Sequence, residues 1–247
     1  MQRYFIDQAY QPTVELSGEA HHHMARVMRM GVDDEVFLVF TDQTAIKAKI
    51  IEIDSEKVVL AEVEKESWQR ELPIAITIAS GFPKGEKLEL VVQKGTELGA
   101  HQFIAFPSES SVAKWDAKKQ QKKQQRLNKI AQEAAEQSHR QALPTVEFAS
   151  EKELVARFSD YDAVLIAYEE SAKQGEQAQL VQTFQQLRAG QKLLVVFGPE
   201  GGLTPKEIAL FQGAGAKLCG LGPRILRTET APLYFLSAAS FYYELQH

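Results

Sequence analysis

Cys219–Pro232 reads CGLGPRILRTETAP. Two glycines and a proline, Gly220, Gly222 and Pro223, precede an apolar pair, Ile225 and Leu226, set between Arg224 and Arg227. Then come Thr228-Glu229-Thr230-Ala231-Pro232 and an apolar run from Leu233 to Tyr243. Glycine lets a backbone approach a ligand closely and reach positive φ. Thr230 is predicted to cap a helix that opens with Ala231 and Pro232. The stretch is thus read as a loop held between a strand, Lys217–Leu221, and a helix. A second loop, Phe197-Gly198-Pro199-Glu200-Gly201-Gly202, follows the predicted strand Lys192–Phe197. Ligands of open α/β sheets sit beyond the carboxyl ends of the strands. Two glycine loops after successive strands are therefore expected to line one pocket.

The chain around these loops has 247 residues, 44% hydrophobic and 25% charged, a globular composition that suits one or two domains. No window approaches the ~20 apolar residues of a membrane span. The N-terminus, MQRYFIDQAY, lacks the apolar segment of a secretory signal. One cysteine, Cys219, excludes an internal disulfide framework and a multi-cysteine zinc site. A cytoplasmic location is expected. Net charge is −5, unevenly spread. Residues 1–72 carry 8 Lys/Arg against 14 Asp/Glu, whereas residues 84–140 carry 11 against 7. A basic middle in an acidic chain points to an anionic partner met by one surface.

Residues 1–71 read as a small β-rich domain. Strands are predicted at Arg3–Ile6, Glu35–Phe40, Ala45–Ile53 and Val58–Val63, with a helix from Gly18 to Met30 capped by Ser17 and burying Met24, Val27 and Met28. A small β-barrel is the expected closure. From residue 72 to 247 strands and helices alternate. Strands are predicted at Ile74–Ala79, Gln102–Phe106, Ala163–Ala167, Lys192–Phe197 and Lys217–Leu221. Helices are predicted at Glu86–Leu98, Trp115–Arg140, Glu176–Leu187 and Pro205–Phe211. This order predicts an α/β domain with a mostly parallel sheet buried on both faces.

Gly198–Glu207, GPEGGLTPKE, is the sharpest local signal. Thr204, Pro205 and Glu207 form a capping box, so the loop before them ends at a helix N-terminus suited to polar or anionic groups. A strand–helix turn also uses glycine for its own sake; two such turns after neighbouring strands favour a ligand. Neither a dinucleotide fingerprint nor a phosphate-binding P-loop is present. A ligand here would be held by backbone groups and apolar contact, which suits an adenosine-containing molecule. Lys114–Lys129 carries seven cations with one acid, Asp116, and reads either as a phosphate-tracking face or as a solvated helix face. His21-His22-His23 point in different directions on a helix, and no metal site is expected. Cys219 reads as a small buried hydrophobe rather than a nucleophile. No G-x-S-x-G supports a serine hydrolase.

GPEGGLTPKE with the following LGPRILRTETAP, preceded by KGTELG (Lys94–Gly99) and EAAEQSHR (Glu133–Arg140), resembles the ribosomal-RNA small-subunit methyltransferase E family. HHHMARVMRM (His21–Met30) is similar to that family's first domain. The resemblance runs through essentially the whole chain, in order. It implies a SPOUT-type α/β domain at 72–247 whose C-terminal chain forms a trefoil knot, and a PUA-like barrel at 1–71 that grips RNA. It implies S-adenosylmethionine as methyl donor, N3 of one uridine in small-subunit ribosomal RNA as acceptor, the ribosomal particle as partner, and a homodimer. His139 stands where the family's EQSGR-like motif carries glycine.

Carried onto this chain, the cofactor loops are Phe197–Gly202, through Phe197, Gly198, Glu200, Gly201 and Gly202, and Leu221–Ala231. The second loop contributes Leu221, Gly222, Ile225, Leu226, Arg227, Thr228, Thr230 and Ala231. Ala167 and Tyr168 form a third wall. Uracil N3 is a poor nucleophile until it loses its proton, and a guanidinium near the uracil carbonyls would stabilise the anion. Arg227 and then Arg224 are the candidates, with Glu229 as a weaker candidate for accepting the proton. Arg26, Arg29, Lys94, Lys118, Lys122, Arg126 and Arg140 are the candidate RNA contacts. Methylation at C5 of uridine usually needs a cysteine, and Cys219 is badly placed for it. A related enzyme acting on ribose 2′-oxygen or tRNA, a non-catalytic RNA-binding factor, and an adenine-nucleotide binder share parts of this pattern.

Overall fold

The computed structural model describes residues 1–168 and 179–246. The chain divides into two compact units, Met1–Glu71 with Ala135–Leu143, and Leu72–Ala134 with Pro144–His247.

In the first unit a five-stranded sheet runs in the order β1 (Arg3–Ile6), β3 (Glu35–Phe40), β4 (Ala45–Ile53), β5 (Val58–Lys65), β2 (Thr13–Leu16). β1 pairs parallel with β3 and the other neighbours are antiparallel. The alternation in β4 sets its inner face, since Ile46, Ala48 and Ile50 are fully buried. β1 and β2 are the two edges of an open sheet, so the barrel expected from the sequence is not closed by a β1–β2 ladder. The helix expected over Gly18–Met30 is shorter. α1 covers Gly18–His22 and passes into a π turn, His23–Val27, where the Met28 N–H reaches back to the His23 carbonyl. The wider turn keeps Met24 inside and rotates Val27 and Met28 to the surface. Ser17 stands at the N-cap without a side-chain bond.

Arg3 is a buried charge of this unit. Its guanidinium donates to Glu66 at 2.6 Å and to the Arg140 carbonyl at 3.2 Å, and stacks over Phe37 at 4.9 Å. Arg140 is itself buried, with its guanidinium on Glu71, so its side chain is not the surface phosphate contact expected from the sequence. The neighbouring His139 has φ +58, a conformation glycine adopts without cost, and its ring packs edge-on against Phe37.

The second unit is built on six parallel strands in the order β11 (Lys217–Cys219), β9 (Ala163–Ala167), β10 (Lys192–Phe197), β6 (Ala75–Gly81), β7 (Gln102–Phe106), β8 (Thr145–Phe148). Alternate side chains enter two separate cores. Ile76, Ile78, Leu193, Val195 and Phe197 face α2 (Lys87–Glu97), α3 (Ala117–Gln137), α5 (Gln179–Gln186) and α7 (Thr230–Ser240) through Val91, Leu127, Phe184 and Phe235. Ala79, Ile104, Ile166, Leu194 and Val196 face α4 (Glu151–Ala156) and α6 (Pro205–Gly213) through Leu154, Ile208 and Phe211. Burial on both faces explains the unbroken apolar runs. Residues 176–178 of the helix expected at Glu176–Leu187 lie outside the described residues.

Two outcomes for stability follow from these contacts. Phe211→Ala removes a fully buried ring that meets Phe106 and Phe158, and is expected to cost about 3–5 kcal/mol in urea unfolding. Burial of Glu66 favours its neutral form, but bonds from Arg3 and Arg70 outweigh burial and hold the carboxyl below its ordinary 4.5. A depressed value stabilises the fold above the ordinary pKa, and that stability is lost as pH falls through the folded value. Glu66→Gln is thus expected to weaken the first unit at neutral pH and to narrow its difference from the wild type in acid, read by thermal unfolding across pH.

Candidate active site

Three neighbouring strands, β9, β10 and β11, end at one edge of the sheet, and the chain leaving each of them borders the same cavity. Its volume is about 560 Å³. Ala167 and Tyr168 continue β9, Phe197–Gly202 follow β10, and Leu221 and Gly222 lie beyond β11. Arg224, Ile225, Leu226, Arg227, Thr228 and Ala231 complete the wall. These include every residue expected to hold the cofactor except Thr230, which lies outside the lining.

Each loop has a local cause. After β10 the chain turns at Gly202 (φ +71), where the N–H closes on the Pro199 carbonyl at 2.9 Å. Gly198 admits no side chain, since a Cβ would stand 2.8 Å from the Gly202 and Leu203 backbone. The loop then enters α6 through the predicted capping box. Thr204 accepts from the Glu207 N–H and the Glu207 carboxylate accepts from the Thr204 N–H. Glu207 is buried and also accepts the Glu109 N–H at 3.0 Å. Gly81, at the end of β6, packs on the ring of Pro199 so closely that a Cβ would lie 2.6 Å from its Cδ.

The second loop is turned by Gly222 (φ +91). The Arg227 carbonyl accepts the N–H groups of Thr230 and Ala231, both at 2.9 Å, and so ends the loop. Thr230 is the first residue of α7 rather than its cap; Glu229 holds the cap position without a side-chain cap bond. Arg224 and Arg227 line the cavity and are exposed. Glu229 does not line it: its carboxylate is turned to Lys87.

Lys87 and Leu203 line the cavity but lie outside the loops expected from the sequence, and Lys87 is the charged one. It opens α2 in a charged stretch, Lys84-Gly85-Glu86-Lys87, that has the texture of a solvated helix face. The only usable signal was positional, because this stretch follows β6, the other neighbour of β10. Cys219 is buried in the core below the loop. Of the RNA candidates, Lys118 and Lys122 are exposed on α3, and Arg26 and Arg29 are exposed in the first unit. Lys94 pairs with Glu97 at 2.8 Å, and the Arg126 guanidinium reaches Glu89 at 2.7 Å.

Residues 70–240 match the RNA methyltransferase domain family, and residues 16–63 match the RNA methyltransferase PUA domain. The chain belongs to the ribosomal RNA small subunit methyltransferase E family. It is 48% identical, over 99% of its length and 98% of the relative's, to the Bacillus subtilis protein named ribosomal RNA small subunit methyltransferase E. A crystal structure described as a hypothetical protein superposes with a TM-score of 0.93 at 45% identity and 100% coverage of both chains. A Legionella pneumophila protein described as a methyltransferase, solved with bound S-adenosylmethionine, gives 0.81 at 30% identity and 96% coverage of each.

The crowding at Gly198 yields a direct test of the loop. Gly198→Ala is expected to lower stability by about 1–3 kcal/mol in thermal unfolding, as overpacking does, while the far-ultraviolet circular dichroism stays that of the wild type.

Proposed function

We propose that this chain transfers the methyl group of S-adenosylmethionine to N3 of a uridine in small-subunit ribosomal RNA. The observation that carries this reading is the meeting of two glycine loops in one cavity whose wall includes two arginines, Arg224 and Arg227. The cavity fits the donor. Gly198, Gly201, Gly202 and Gly222 bring main chain to its surface, and Phe197, Leu203 and Leu226 add apolar contact. When bound, S-adenosylmethionine supplies an activated methyl group.

The chain's own residues do the rest. Phe197–Gly202, Leu221–Ala231 and Ala167–Tyr168 enclose the donor and keep water away. Arg227, with Arg224 beside it, places a guanidinium against the uracil carbonyls and stabilises the negative charge left when N3 loses its proton. Cys219 sits in the hydrophobic core, which disfavours attack at uracil C6 and therefore methylation at C5. Lys118 and Lys122 track phosphate, and Arg26 and Arg29 are the phosphate contacts of the PUA-like unit at residues 1–71. The family resemblance extends the proposal to a trefoil knot at the C-terminal loops, a homodimer and a cytoplasmic location acting on the ribosomal particle.

The test is incubation of the protein with labelled S-adenosylmethionine and unmodified small subunits, followed by mass-spectrometric mapping of the label. Label on uracil N3 is expected. Label on a ribose 2′-oxygen or on transfer RNA, or binding of RNA without transfer, contradicts the proposal. Arg227→Ala is expected to abolish nearly all turnover while calorimetry shows cofactor affinity largely kept; turnover within a fewfold of wild type removes Arg227 from the role. Reversing Lys118 and Lys122 to Glu is expected to weaken RNA binding and flatten its salt dependence, by about 0.7–0.9 in log–log slope per lost phosphate contact.

A further inference from the structure

We infer that Lys87 is a positioning residue for the methyl-transfer cavity, a cationic strut that ties the first glycine loop to the second. The inference rests on the reading of this cavity as the methyl-donor site. The Lys87 ammonium stands 2.8 Å from Glu200 of the first loop and 3.3 Å from Glu229 at the end of the second. These loops come from β10 and β11, which are not neighbours in the sheet, so no strand pairing sets their spacing.

The first loop is gripped firmly. Gly81 packs on Pro199, Ser110 lies against Gly201, and the Lys84 N–H donates to the Glu200 carboxylate at 3.1 Å. Glu200 is therefore a fixed point, and Lys87, rooted in α2, carries that position across to Glu229. Glu229 immediately precedes α7 and follows Arg227 by two residues. Its placement thus fixes the end of the segment that presents Arg227 to the cavity.

An exposed ion pair would do little of this, since such pairs are worth about 0–1 kcal/mol. This one differs on the Glu229 side. The Glu229 side chain is only 16% exposed, and its Oε2 is sealed from solvent, makes no hydrogen bond among the described residues and has the Lys87 ammonium 3.3 Å away. Removing the ammonium leaves a half-buried carboxylate with its sealed oxygen uncompensated, and the loop must move to hydrate it. Displacements of about 1 Å can cost about a hundredfold in rate when they misplace a reacting group. Glu229, which does not line the cavity, is on this account an anchor for the loop rather than a proton acceptor.

The test compares Lys87→Met, Lys87→Arg, Glu229→Gln and the Lys87→Met/Glu229→Gln double variant in two ways. Hydrogen exchange of the cofactor-free protein reads the loops directly, and single-turnover methylation of small subunits reads their effect on chemistry. Lys87→Met and Glu229→Gln are each expected to speed exchange across 221–231 and to slow methylation by about tenfold to a hundredfold. Lys87→Arg should restore most of the rate, and the double variant should be no worse than the poorer single one. Unchanged exchange and rate in Lys87→Met, no rescue by Lys87→Arg, or additive losses in the double variant overturn the strut. Calorimetry of the wild type separates this from the broader reading: no uptake of S-adenosylmethionine contradicts the cavity assignment, whereas normal uptake with an indifferent Lys87 contradicts the strut alone.

Discussion

The site depends on the placement of β10 between β9 and β6, with all three strands pointing the same way. Parallel neighbours end together, so whatever follows them is delivered to one edge of the sheet. Phe197, Ala167 and Gly81 reach that edge from three distant parts of the chain. Burial of the sheet on both faces makes this arrangement hard to slip, because moving a strand by one residue would exchange its two sets of core side chains. The loops themselves need then satisfy only local demands. Gly198 gives way to the backbone of Gly202, and Gly81 gives way to the ring of Pro199. The absence of side chains brings main chain to the cavity surface.

What could be read from the sequence was the local part. The capping box Thr204–Glu207 needs only four consecutive residues, and it is present with both bonds. The same kind of box at Ser150–Glu153 heads α4, whose six residues are too few for an apolar period to mark a helix. The short strands β2 and β8 escaped notice because four residues give a periodic pattern little room. The family resemblance pointed to the loops that line the cavity, since their glycines sit in recognisable order. What local reading misplaced were charges whose partners lie far along the chain. Arg140 follows a basic run and looks like a surface group, yet it is buried against Glu71, with which it shares no local pattern. Lys87 looks solvated until Glu200 and Glu229 are brought beside it. Thr230 has a capping side chain, but the turn closed by the Arg227 carbonyl already makes it helical.

The electrostatics follow a division of labour. The first unit is acidic in sequence, and it spends buried cations internally, with Arg3 on Glu66 and Arg140 on Glu71. The basic middle of the chain leaves Lys118 and Lys122 exposed on α3. At the cavity the two arginines of the second loop remain exposed while both neighbouring carboxylates, Glu200 and Glu229, are held by Lys87.

The central claim, that the two glycine loops hold the methyl donor, is tested most directly by a crystal structure of the protein with S-adenosylmethionine. The account predicts the donor lying between Phe197–Gly202 and Leu221–Ala231, with Arg227 at the open side next to its methyl group. A donor bound elsewhere on the protein, with these loops empty, would contradict it.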